Sequence, residues 1–162
     1  MRYYLDYNAS APILKEVKDY LISTLDIVGN PSSIHHAGRE AKKVIEKSRE
    51  QISSFIKTEK NNIIFTSGAT EANNLVTRNF DKIISSDIEH ESIINSSNIS
   101  KVMVTSEGYI DLSHLEHIVR NIKAKHTTLI SIMFANNETG ILQPLEEIAK
   151  IAKKYKVLLH SD

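Results

Sequence analysis

The sequence contains no cysteine at all. Within the chain this excludes disulfides, thiolate metal ligands and a cysteine nucleophile. Glycine and proline are sparse, 5 and 3 of 162 residues, which rules out collagen-like and flexible-linker composition. Charge of one sign is also missing: 20 Lys plus Arg balance 20 Asp plus Glu. No whole-chain field therefore draws the protein to nucleic acid or to an anionic membrane, and neither is expected as a partner. No apolar run approaches the roughly 20 residues that cross a bilayer. Asp6 puts a charge where a secretory signal would need its apolar stretch, so the expected location is the cytoplasm.

What is present is ordinary globular composition, 41% hydrophobic and 25% charged. A chain of this size buries roughly 70% of its unfolded surface, enough for one domain with an unaided core. Tyr3-Tyr4-Leu5 reads as a strand. Pro12 then opens a helix whose stripe, Ile13, Leu14, Val17, Leu21, Leu25 and Val28, runs to a stop at Gly29. A second helix is expected from about Ala37 to Ile56, with the loop Gly29-Asn30-Pro31-Ser32-Ser33 between the two. Beyond residue 61 short β-branched runs alternate with helical stretches: strands at 63–66, 82–84, 101–104, 129–133 and 157–159, and helices at 113–122 and 146–155, the former with Ser113 and Glu116 as a capping box. That alternation argues for an α/β fold, a mostly parallel sheet flanked by helices. The last residues, His160-Ser161-Asp162, follow a strand directly, where ligands of parallel sheets usually bind, so the domain is expected to be incomplete.

Four segments carry candidate chemistry. Phe65-Thr66-Ser67-Gly68-Ala69-Thr70-Glu71-Ala72 passes from a strand to a helix start, where free amides, the helix dipole and the Thr70 hydroxyl suit a phosphate, although taken alone the segment reads first as an ordinary capped turn. His90 follows the strand at 82–84, placed to stack on a flat ligand or move a proton, or simply solvated. Asn136-Asn137-Glu138-Thr139-Gly140 follows the most apolar strand, where polar groups need partners, although an Asn-Asn turn would also account for it. Asp162 is either a helix N-cap or a carboxylate facing a cationic ligand atom. His114 and His117 share a helix face, but no third or fourth ligand accompanies them and no metal is expected.

Five blocks, YLDYNASAP at 4–12, GNPSSIHHAG at 29–38, FTSGATEANN at 65–74, EH at 89–90 and NNETG at 136–140, with HSD closing the chain, together resemble the N-terminal part of the cysteine desulfurases. These are class V aminotransferase-like enzymes of fold type I that depend on pyridoxal phosphate. The resemblance implies an N-terminal, truncated portion of a pyridoxal-phosphate-dependent large domain over residues 1–162. It implies that Ala69 and Thr70 hold the cofactor phosphate, that His90 stacks on the pyridine ring and relays protons, that Asn137 contacts the 3-hydroxyl side, and that Asp162 pairs with the ring nitrogen. Ser10-Ala11 departs from the Thr-Thr usual before the family's Pro. The family's Gln on the cofactor oxygen, its Ser-x-His-Lys segment and its mobile-loop Cys lie beyond the part matched.

The expected parent reaction converts L-cysteine to L-alanine and passes sulfur on as an enzyme persulfide, for iron–sulfur clusters or tRNA thiolation. This chain is expected to be inactive alone. Its expected partners are a second copy in a homodimer, a complementary C-terminal fragment, and a sulfur acceptor protein. Two other readings stand beside it: a fragment of another class V aminotransferase, and a non-catalytic partner of a full-length desulfurase.

Overall fold

The computed structural model describes residues 3–162. They form two compact units divided after Phe65, and each is taken by itself. The first holds α1 (Lys15–Thr24) and α2 (His36–Phe55). His35 caps α2, its ring accepting the Gly38 N–H at 3.3 Å. Gly38 is required there by space: a Cβ would run into the backbone oxygen of Ser33 and sit 2.7 Å from that of Asn30, so the Pro31 loop lies directly on the first turn of α2.

The second unit, 66–162, is a parallel four-stranded sheet of order β2-β1-β3-β4, with β1 Lys82–Ser85, β2 Ile99–Lys101, β3 Thr128–Ser131 and β4 Leu158–His160. Its helices are α3 (Ala69–Thr77), α4 (Glu91–Ile94), α5 (Leu112–Asn121) and α6 (Leu145–Tyr155). Register aligns Ile84 with Ile130 and Ile130 with Leu159, so these side chains share one sheet face. There they join Leu115 and Val119 of α5 and Ile148 and Ala152 of α6 in the main core. Ile83 and Leu129 project to the other face and are buried too, so the central strands are apolar on both sides. The helix α6 keeps Glu146 and Glu147 in its first turn and Lys153 and Lys154 in its last, each sign matched to the helix dipole.

Several sequence expectations change. Residues 3–5 form no strand: Tyr3, Tyr4 and Leu5 are exposed, and extended backbone becomes a strand only where a neighbour completes the ladder. Residues 63–66 likewise join no strand of the sheet, although Ile63 is extended. The helix α1 is shorter than the stripe suggested, and β2 begins two residues earlier. The cap of α5 is Asp111, whose carboxylate accepts the His114 N–H at 2.9 Å. Ser113 falls inside the helix, and Glu116 instead accepts bonds from Lys154 and Tyr155. Among the described residues no helix is long and apolar enough to cross a membrane.

Candidate active site

His90, the 136–140 loop and Asp162 follow β1, β3 and β4 at the carboxyl end of the sheet, where ligands gather, while Ala69 and Thr70 open α3 ahead of β1. Ala69 is the first residue of α3, after Gly68, which offers no side-chain cap. The first helical bond runs from Ala72 N to Gly68 O. The amides of Ala69, Thr70 and Glu71 therefore precede the ladder, and a helix start of this kind attracts an anion. Glu71 turns back to accept the Ser67 amide and hydroxyl, both at 2.6 Å, and these bonds hold its carboxyl below the usual range.

His90 is the N-cap of α4. Its Nδ1 accepts the Ser92 N–H at 3.1 Å and lies 2.8 Å from the Ser92 hydroxyl, which in turn accepts a bond from the buried Asn73 amide at 2.8 Å. A backbone N–H can only donate, so the neutral ring keeps its lone pair on Nδ1 and its proton on Nε2. Thr70, Asn74, His90 and Ser92 line one open groove of about 320 Å³. The structure thus brings Thr70 and His90 together.

The residues after β3 divide the labour of their motif. Asn136 is buried; its amide donates to Ile88 O at 2.7 Å, and its oxygen accepts the Glu138 and Thr139 amides at 3.0 and 2.8 Å. The loop closes through Gly140 N to Asn136 O at 2.8 Å, with Gly140 at φ 73°, a region that favours glycine. Asn137 is left exposed on this scaffold and does not line the groove. Asp162 is also exposed, two residues past His160, whose Nδ1 is 2.9 Å from the Ser131 hydroxyl. Burial holds the His160 ring below its usual value, against the opposing pull of the Asp162 charge.

The residue that motif reasoning left without a role is Glu89. It is buried, both carboxylate oxygens accept the Met133 N–H at 3.0 Å, and the Ser86 hydroxyl donates to it at 3.4 Å. Burial pushes its carboxyl up to about 7, over the pull of those donors, and the nearby Asp162 charge adds to the rise. Its signal in the sequence is only a carboxylate beside His90. The other histidine pair is occupied locally: His114 accepts the Met103 N–H and His117 sits against Asn121.

A helix start with a hydroxyl and an imidazole in the same groove suit an anionic ligand, and Asp162 is not among that groove's lining. The family profile described as aminotransferase class-V matches residues 3–162. The chain belongs to the class-V aminotransferase family. Members of this family depend on pyridoxal phosphate. Among its class-V relatives, a cysteine desulfurase IscS of Dictyoglomus turgidum is 40% identical, covering 98% of this chain and 44% of its own length. A mitochondrial cysteine desulfurase of Candida albicans is 39% identical, over 98% of this chain and 36% of its own. The solved NifS-like protein from Rickettsia africae superposes with a TM-score of 0.92 at 44% identity, over 98% of this chain and 47% of that one. The chain thus spans under half the length of these class-V relatives, and its parallel sheet is the fold-type I sheet they share.

Proposed function

We propose that this chain is the N-terminal, cofactor-binding part of a pyridoxal-phosphate cysteine desulfurase, which removes sulfur from L-cysteine and leaves L-alanine. The observation that carries the reading is the shared groove of Thr70 and His90 at the carboxyl end of the sheet, in a chain 40% identical to a cysteine desulfurase. A solved relative, 29% identical with a TM-score of 0.87, is described as SspA in complex with cysteine, which favours the same substrate class.

In this reading the α3 amides at Ala69 and Thr70, with the Thr70 hydroxyl, hold the phosphate, and Asp162 faces the ring nitrogen and keeps it protonated. When bound, the cofactor supplies an electron sink for the substrate carbanion. His90 presents Nε2–H to the groove while Ser92 holds its other nitrogen, so the ring lies flat against the ligand or passes a proton without losing its orientation. Asn137, displayed by the buried Asn136, reaches toward the 3-hydroxyl side. The sulfur-accepting thiol must come from outside these residues, since the chain has no Cys. Partners that fit are a complementary C-terminal segment bearing the Lys and the Cys, a second copy, and a sulfur acceptor protein.

The test is reconstitution. This chain is mixed with a C-terminal desulfurase segment carrying those residues, and alanine release from cysteine is followed with pyridoxal phosphate present. Activity in the mixture, absent from either part, and lost with Asp162→Ala, supports the reading. A mixture in which both parts are folded and associated yet no cofactor binds overturns it.

A further inference from the structure

Two bonds tie the segment before His90 to the end of β3. On one side of the Ile88–Glu89 peptide, Ile88 O accepts the Asn136 amide at 2.7 Å; on the other, the Glu89 carboxylate accepts the Met133 N–H with both oxygens. These contacts join residues 48 and 44 positions apart, so nothing local in the chain substitutes for them. Immediately after them His90 caps α4, its carbonyl accepting Ile93 N at 2.9 Å and Ile94 N at 3.1 Å while its ring accepts Ser92 N. A four-residue helix has too few bonds of its own to hold a fixed direction. Its orientation is inherited from the pinned residues ahead of it.

We propose that Glu89 is a positioning residue: its buried carboxyl, bonded to the Met133 amide, fixes the turn from which His90 projects into the groove it shares with Thr70, with Asn136 as the second pin. Inside the fold the carboxyl has the Met133 amide and the Ser86 hydroxyl as its partners, so its direction is set by buried bonds rather than by exchange with water. The burial of an acid with no basic side chain bonded to it works against stability, and such a group persists where the position it fixes is needed. The functional meaning of that position rests on the reading of His90 given above; the geometry itself does not.

The test needs no cofactor, so it fails independently of the desulfurase reading. Residue-level hydrogen exchange is measured on this chain and on Glu89→Ala, Glu89→Gln and Glu89→Asp. In Glu89→Ala, protection of the Met133 amide and of the Ser92 amide that bonds His90 is expected to fall about tenfold, while amides of α5 stay at wild-type level. Glu89→Gln, which keeps an acceptor at the same reach, restores both. Glu89→Asp, one methylene short, behaves like the alanine variant and supplies the reading if the latter does not fold. Wild-type protection at Ser92 in the Ala or Asp variant, or an equal loss at Ser92 and throughout α5 that Gln does not reverse, overturns the proposal.

Discussion

Residues 3–65 and 66–162 are built from similar amphipathic helices, yet they differ sharply in what those helices bury. In the first unit α1 buries nothing and α2 buries only Gly38, Ala41 and Ser53. Tyr20, Leu21 and Ile22 on α1 are each more than half exposed, and Phe55 at the end of α2 is 87% exposed. In the second unit Leu115, Val119 and Ile148 are fully buried. The stripe on a helix states which face wants cover; a sheet with both faces apolar provides it. The lesson is that an apolar helix stripe yields stability only where another layer meets it.

The sharpest way to break this comparison is to truncate one side chain in each unit. Ile130→Ala, at the centre of β3 and fully buried, is expected to cost about 3–4 kcal/mol, whereas Leu21→Ala on α1, 53% exposed, should stay within about 0.5 kcal/mol. Urea unfolding of both variants gives the answer. Equal costs would mean that α1 is covered in solution.

A second comparison sets a buried carboxyl against an exposed one. Glu89 moves from 4.5 to about 7 on folding, so its contribution is intact below pH 4.5 and is lost as pH rises toward 7. Glu89→Gln should therefore match the wild type near pH 4 and exceed it at pH 8 by at most about 3 kcal/mol. Glu40 on α2 has the opposite sign, since its bond to Lys43 holds the carboxyl below the usual value. Its contribution is present above that range and fades in acid, and because solvent screens this 45% exposed side chain Glu40→Gln should leave the profile of Tm against pH nearly flat relative to wild type.

The smallest contrast concerns helix caps. Asp111→Ala removes the bond to His114 N at the head of α5 and should cost about 1 kcal/mol. The longer 3.3 Å cap of His35 on α2 should cost only about a few tenths when that residue becomes alanine. Thermal melts that reverse this order would show α2 to be the better anchored helix.

Local pattern carried much of this molecule. The periodicity from Ala37 to Ile56 marked α2 within a residue at each end, and the run from Glu146 to Tyr155 marked α6, because each helix states its own face and ends in sequence. The turn at 67–70 and His90 were legible as candidates because each directly follows a β-branched run. The cap at Asp111 was missed because Ser113 with Glu116 offers an equally good local pattern, and Glu116 is drawn instead to Lys154, 38 residues away. The strand-like runs at 3–5 and 63–66 were misread because extended propensity does not contain a partner.

The sequence by itself determined the helices, the apolar central strands of a parallel sheet, and the residues that stand at the strand ends. Tertiary structure alone decided that Asn136 works inside and Asn137 is displayed, that Thr70 and His90 share a groove, and that Glu89 is buried on the Met133 amide. The physical reason is range: helix bonds and caps close within a few residues, whereas the bonds that set the site span 19 to 48 positions and exist only once the strands are side by side.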